Sequence, residues 1–265
     1  SHPEHVDSLL TLGGAIARAN DGRVVAVHIV EVPDQTSLSY AADHSEKFDL
    51  ATGDTLDRAV ERADELGVDV ETHTIFSHRT FEEIFDAAKT HDADTVVMGW
   101  TERHRGSPGR AEGAIDELSH DLPADFLVLK DRGFDPSRVL VPTAGGPDSD
   151  LSAVVARVLA EEYDAEVSLL HVAEDEAAGE AFLEDWADAH DLGDASRIVA
   201  TDGVETAIGR AATDATLLVL GATEEGLLSR VWRGSLVLDV VDEVECSVLL
   251  AETKRERSLW QRLLG

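Results

Sequence analysis

Gly221, Gly234 and Ser235 are the residues of this chain whose types and spacing best suit ligand chemistry. Leu217-Leu218-Val219-Leu220 is a run of apolar β-formers ending in Gly221, which reads as a buried strand opening into a loop. Thirteen residues on, Gly234-Ser235 precedes the periodic positions Leu236, Val237, Val240, Val241 and Val244, and so opens a helix. Backbone N–H groups at such a helix start, approached closely because glycine lacks a Cβ, suit a phosphate. In open α/β sheets, ligands lie outside the carboxyl ends of the strands, where this loop belongs. An ordinary strand-to-helix connection with glycine at both ends accounts for the same residues.

The other candidates are weaker. Gly145-Gly146 follows a strand, but no Gly-Lys-Ser/Thr completes a P-loop, and no GxGxxG fingerprint occurs. His28 and His171 each sit at a strand end within an apolar run and are read as hydrogen-bonded structural histidines. His2, His5, His73 and His78 have no Cys or carboxylate companion at ligand spacing and are read as surface residues, so no metal site is expected. Arg103, His104, Arg105 and Arg110 form a basic island that either holds an anion or balances local acids. Glu174, Asp175, Glu176, Glu180, Glu184, Asp185 and Asp188 lack the layout of a calcium loop and read as a solvated helix face. No activated nucleophile or pair of distinct carboxylates appears, so no catalytic residue is assigned and the chain is not read as an enzyme.

Composition narrows the classes further. Asp and Glu number 54 against 22 Lys and Arg, a net charge of −32, and the only lysines are Lys47, Lys89, Lys130 and Lys254. Such a surface repels itself at low salt, whereas at molar salt the Debye length falls to about 3 Å. The acids are spread along the chain, which favours a halophilic protein with an acidic surface over a local acidic patch. The charge disfavours nucleic acid as a partner. Cys246 alone makes no disulfide, and it reads as a buried small hydrophobe. No apolar run approaches the roughly 18–20 residues of a membrane span and no signal peptide opens the chain, so a soluble, cytoplasmic location is expected.

The elements that must position the loop repeat along the chain. A helix covering Leu9, Leu10, Gly13, Ile16 and Ala17 leads to a strand over Arg23 to Val30. A polar helix over Ser45 to Leu66, a strand over Val68 to Ile75 and a helix entered by a Thr80-Phe81-Glu82-Glu83 capping box follow. A strand ending at Gly99, a helix near Gly113 to Leu122 and a strand over Phe126 to Leu129 complete the first copy. Beyond a linker at Gly133 to Pro136 come a strand over Arg138 to Pro142 and a helix burying Leu151, Val154, Val155, Val158 and Leu159. A strand over Val167 to Val172, a polar helix, a strand at Arg197 to Thr201, a helix at Val204 to Ala212 and the Leu217 to Leu250 stretch follow. His171 answers His28, and Gly234-Ser235 answers Gly113-Ala114. Two copies of one strand–helix alternation predict two doubly wound α/β domains. The second has a full strand before its first helix and the first does not, so the chain is expected to be a piece of something longer.

This pattern resembles the universal stress protein family, as a tandem covering essentially the whole chain. The carrying residues are Val139-Leu140-Val141-Pro142-Thr143, His171-Val172, the Gly221 to Gly234-Ser235 loop and Cys246 to Leu250; in the first half they are His28-Ile29, Gly99, Gly113-Ala114 and Phe126 to Leu129. The resemblance implies α/β domains with five-stranded parallel sheets of nucleotide-binding α-hydrolase-like type. Domain 1 spans 1–132 and lacks its first strand, domain 2 spans 137–252, and a basic amphipathic tail occupies 253–265. It implies pairing of the two domains through their last strands, and a homodimer.

Many members bind ATP or AMP, and the carry-over assigns nucleotide binding to Pro142, Thr143, Val172, Gly221, Gly234, Ser235 and Leu236, with Mg²⁺ accompanying ATP. The family's middle loop glycine is here Glu224, and its strand-end acid is Ala144. A carboxylate beside a polyanion costs roughly 1 kcal/mol or more; Arg230 and Arg233 either offset it or are solvated. In the first half Glu102 holds the middle position and Ala114 replaces the hydroxyl. The expected function is a non-catalytic adenine-nucleotide-binding or sensing module, the cytosolic regulatory region of a membrane transporter. The alternative is a structural dimerisation module that has lost nucleotide binding. An ATP-hydrolysing enzyme ranks last, for want of a catalytic group. Lys254, Arg255, Arg257 and Arg262 interleave with Leu259, Trp260, Leu263 and Leu264; this tail either meets an anionic membrane surface or docks on its own body.

Overall fold

The computed structural model describes residues 3–44, 52–100, 122–221 and 241–254. The chain forms two compact units, Ser1–Val96 and Val97–Gly265.

The first unit begins with α1 (Pro3–Ala19), β1 (Val24–Glu31) and the short α2 (Leu38–Asp43). It continues with α3 (Thr52–Leu66), β2 (Val70–Ser77) and α4 (Thr80–Thr90). β1 and β2 pair in parallel with Val24 opposite Val70 and Glu31 opposite Ser77. Two small apolar clusters hold α1 and α3 to this ribbon: Val6, Leu10 and Ala59 in one, Ala17, Ala63 and Val68 in the other. At the rim of the α1–α3 contact, Nε and Nη2 of Arg58 donate to the two oxygens of Asp7 at 2.8 and 2.6 Å. That hydrogen-bonded pairing raises the guanidinium pKa, so Arg58 is charged at any working pH.

β3 (Thr95–Gly99) leads into the second unit. β4 (Asp125–Lys130), β5 (Arg138–Pro142), α5 (Pro147–Tyr163), β6 (Glu166–Val172) and α6 (Glu176–Ala189) follow. The unit closes with β7 (Ser196–Ala200), α7 (Val204–Ala211), a 3-10 turn at Ala212–Asp214, β8 (Leu217–Gly221) and β9 (Ser247–Glu252). Its seven-stranded sheet runs β3-β4-β9-β8-β5-β6-β7. The pairs β5–β6, β5–β8, β6–β7 and β8–β9 are parallel, and β4–β9 is antiparallel, Phe126 facing Glu252 and Lys130 facing Val248. β8 is apolar throughout and β9 is buried along its whole length, Ser247 and Glu252 included, as strands covered on both faces require. Leu140, Leu170, Leu218, Val248 and Leu250 form one core under α7 with Ala207 and Ile208. The linker expected at 133–136 is a set of Asx turns: Oδ1 of Asp131 accepts from the N–H groups of Gly133 and Phe134, both at 2.9 Å. That position marks a sequence repeat, whereas the division by compactness follows strand pairing, and β4 pairs with β9.

Several expected details shift. The helix over Ser45 to Leu66 is described from Thr52. Thr80 is not a cap: Arg79 occupies the N-cap without a side-chain hydrogen bond, and its own N–H donates to Ser77 Oγ at 3.1 Å. Val154 is 43% exposed, because α5 buries Ser152, Ala153, Val155, Ala156, Val158 and Leu159 against β8 and β9. Four aspartates, Asp21, Asp92, Asp164 and Asp191, take left-handed φ of 49–57° after helices. Asp tolerates that region through local hydrogen bonding where glycine is more usual.

Candidate functional site

The carboxyl ends of β5, β6 and β8 lie at one edge of the larger sheet, and four of the expected site residues meet there. Pro142 ends β5 and Val172 ends β6. The N–H of Thr143 donates to Leu170 O at 2.8 Å, continuing the ladder one residue past β5. Nδ1 of His171 lies 2.8 Å from Thr143 O. A carbonyl only accepts, so Nδ1 carries the proton. The same imidazole packs tilted against Phe182 at 4.2 Å between centroids. The structural reading of His171 therefore holds: it pins the strand end beneath the edge.

The hydroxyl of Thr143 is not presented to the edge. The residue is 6% exposed, and its Oγ1 accepts from the N–H of Gly145 at 3.1 Å, shaping the turn into α5. Gly145 and Gly146 follow with φ of 82° and 91°, a region an L side chain avoids, and Pro147 starts the helix. Ala144, just before the two glycines, is exposed and its side chain carries no polar group.

Gly221 closes β8 beside this turn for a packing reason. A Cβ there would stand 2.7 Å from the carbonyl carbon of Asp148, 2.8 Å from its oxygen and 2.8 Å from the N–H nitrogen of Ser149. The first turn of α5 thus rests directly on Gly221. That turn also carries the carboxylates of Asp148 and Asp150. Asp148 is buried and its Oδ1 accepts from Thr253 N–H at 2.8 Å. Oδ1 of Asp150 accepts from Trp186 Nε1 at 3.3 Å and lies 3.1 Å from His190 Nε2. Negative charge at this helix start complements its dipole and leaves it unsuited to a phosphate. The phosphate end of the expected site, Gly234, Ser235 and Leu236, lies outside the described residues, as do Glu224, Arg230 and Arg233. The same is true of Glu102, Arg103, His104, Arg105, Arg110, Gly113 and Ala114, and of the tail from Arg255 onward.

Three other expectations are refined. The acids of α6 are solvent-exposed, and Asp175 caps the helix by accepting from Ala178 N–H at 2.9 Å. Cys246 is only half-buried, packed on the core of the larger sheet, and burial raises its thiol pKa. His73 and His78, expected at the surface without companions, are both half-buried and partnered. Nδ1 of His78 lies 2.8 Å from Val32 O, and Nε2 of His73 lies 2.8 Å from Glu71 Oε1. The alternation of β2 carried that second signal, since residues two apart on a strand share a face.

Among the described residues no helix is long and apolar enough to cross a membrane. The chain is similar over 180 residues, at 28% identity, to the Na(+)/H(+) antiporter NhaS5 of Synechocystis sp. (strain ATCC 27184 / PCC 6803 / Kazusa). That match covers 64% of this chain and 24% of the antiporter, so the chain spans about a quarter of the length of this curated relative. In fold it is similar to the crystal structure of a universal stress protein from Archaeoglobus fulgidus DSM 4304, with a TM-score of 0.63, 16% identity, and coverage of 96% of this chain and 93% of that one. The cytoplasmic domain of a prokaryotic cation chloride cotransporter has a TM-score of 0.53 at 12% identity, with coverage of 91% and 99%. The family model of the Universal stress protein family matches residues 2–130, just under half of the chain.

Proposed function

We propose that this chain is the regulatory module of a membrane cation transporter, built of two universal-stress-type domains, the second of which takes an adenine nucleotide. The observation that carries the nucleotide part is the convergence of Pro142, Thr143, Val172 and Gly221 at one sheet edge, with the Thr143 backbone held by Leu170 and His171. Backbone groups at the ends of parallel strands are a common place to seat a planar base. The site is a weak one. The Ala144 side chain offers no acceptor to a ribose, and the first turn of α5 is already acidic, so binding depends on Gly234 and Ser235.

The tandem reading draws support from strand order. β9-β8-β5-β6-β7 is a complete doubly wound set around β5. β1–β2 and β3–β4 supply four corresponding strands in the first half, where β5 has no counterpart; β1 and β3 each have a single neighbour among the described strands. The transporter reading draws on the similarity to the antiporter and on the shared fold of the cotransporter's cytoplasmic domain.

Calorimetry of the intact chain in molar KCl with ATP plus Mg²⁺, ADP and AMP tests the nucleotide. Saturable binding that Gly234→Asp abolishes is expected, and no heat with any of the three overturns the reading. An antibody raised against this chain is expected to detect a larger, membrane-associated protein in source cells; a soluble product of this chain's own size overturns the transporter reading. Ala144 and the acidic α5 start favour one second reading, a pairing module held by β4–β9 that binds no nucleotide.

A further inference from the structure

Glu71 and His73 stand two residues apart on β2 and project from one face of the strand. His91, the residue that ends α4, comes to the same place. Nε2 of His73 is 2.8 Å from Oε1 of Glu71, the rings of His73 and His91 lie 4.5 Å apart at 43°, and one ligand atom from each of the three residues falls within 4.8 Å of the others.

The backbone at each position is fixed. His73 sits opposite Val27 in the β1–β2 ladder. The N–H of His91 donates to Ala87 O at 3.0 Å, Asp92 turns with φ 49°, and Ala93 N–H returns to Ala88 O at 2.9 Å. The ligand atoms thus ride on two regular elements rather than on a loose loop. Glu71 is exposed and both histidines are half-buried, which leaves a side open to solvent.

A hydrogen-bonded pair accounts for Glu71 and His73. It does not account for His91, whose imidazole lies tilted against His73 with no hydrogen bond to a described residue. Two imidazoles and one carboxylate are a familiar donor set for borderline divalent ions, whereas magnesium and calcium take oxygen ligands. Metal–ligand bonds of about 2.0–2.2 Å place ligand atoms roughly 3.3 Å apart in a tetrahedron. The three ligand atoms, all within 4.8 Å of one another, are already close to that spacing. We propose that Glu71, His73 and His91 hold a divalent cation of the zinc, cobalt or nickel class, with water completing its shell, and so tie β2 to the turn that follows α4.

The acidic surface attracts every cation, so the test separates coordination from counter-ion accumulation. The intact chain, stripped with chelator and held in molar KCl, is titrated with ZnCl₂, CoCl₂ and MgCl₂ by calorimetry, with visible absorption followed for Co²⁺. One saturable zinc site is expected, with d–d bands for Co²⁺ and no comparable site for Mg²⁺. His73→Ala and His91→Ala should each weaken zinc binding by about tenfold or more. His91→Gln serves as a second variant that keeps a polar cap residue. Melting temperature supplies another readout: zinc should raise it in the parent chain and not in folded variants. Unchanged zinc affinity in folded His73 and His91 variants overturns the proposal, and so does zinc binding no tighter than that of magnesium.

Discussion

Gly221 and Asp148 touch where no side chain fits between them: a Cβ on Gly221 would lie 2.7 Å from the Asp148 carbonyl carbon. The end of β8 and the first turn of α5 are therefore in backbone contact, and the obstacle is main chain, which cannot swing aside. Gly221→Ala is expected to destabilise the protein by about 1–3 kcal/mol, the usual cost of overpacking. Equilibrium urea denaturation in molar KCl measures it, and a variant as stable as the parent would contradict the contact. The prediction also bears on ligand tests. Loss of nucleotide binding in Gly221→Ala would report a displaced helix, which is why Gly234→Asp is the better probe.

Arg132 fastens the chain just past β4 to the segment before β9. Its Nη1 donates to Cys246 O at 3.2 Å, and its Nη2 donates to Val241 O at 2.8 Å and to Asp242 O at 3.4 Å. Residues 241–243 are helical, so a cation here also meets the negative end of a helix. Arg132→Met should cost about 1–3 kcal/mol, since it leaves the Cys246 and Asp242 carbonyls without their charged donor, while Val241 O keeps Lys130 Nζ at 3.3 Å. Arg132→Lys should recover part of this, keeping the charge but losing the fork. Equal stability of all three proteins would show that these carbonyls are satisfied by water.

Asp202 has its carboxyl pKa lowered, chiefly by hydrogen bonds from Arg210 at 2.7 and 3.3 Å. A carboxylate favoured in the folded state contributes stability above its unfolded value of about 3.8, and that contribution fades as pH falls through the lower folded value. The pair is solvent-exposed, so the effect on total stability is small. The sharper measurement is the carbon-13 shift of the carboxyl itself. Asp202 should titrate below ordinary aspartates, and Arg210→Ala should move it upward. A midpoint indifferent to Arg210 would refute the pairing.

Cys246 should react sluggishly. Burial raises its thiol pKa above the ordinary 9.0, which lowers the fraction present as thiolate at neutral pH. Alkylation by iodoacetamide is expected to be slower in the native protein than in denaturant. Because the folded state favours the protonated thiol, its contribution to stability is intact below about 9 and declines as pH rises. Equal native and denatured alkylation rates would exclude the burial.

The strands of this protein were legible because buried β-formers run together and end in glycine or proline, as at Leu217 to Gly221 and Arg138 to Pro142. The ends of β5 and β6 were legible too, since Pro142-Thr143 and His171-Val172 mark them. What escaped were relationships between distant residues. Sequence spacing presents Gly221 as a ligand glycine; only the approach of α5, some seventy residues earlier, gives its packing reason. Thr80 looks like a cap because of Glu82 and Glu83, yet Ser77 holds the chain one residue earlier. Glu71, His73 and His91 are invisible as a group because the third member arrives from the end of a helix.

The antiparallel seam between β4 and β9 has a kinetic consequence. β4 has its partner more than a hundred residues further along the chain. At ordinary rates of synthesis, the nascent protein carries Phe126 to Lys130 as an apolar edge without β9 for on the order of ten seconds. Such an edge invites intermolecular pairing. The seven-stranded sheet is thus completed late, by a segment that follows β4 by more than a hundred residues. Conditions that delay the arrival of Ser247 to Glu252 should favour aggregation well before they affect the finished fold.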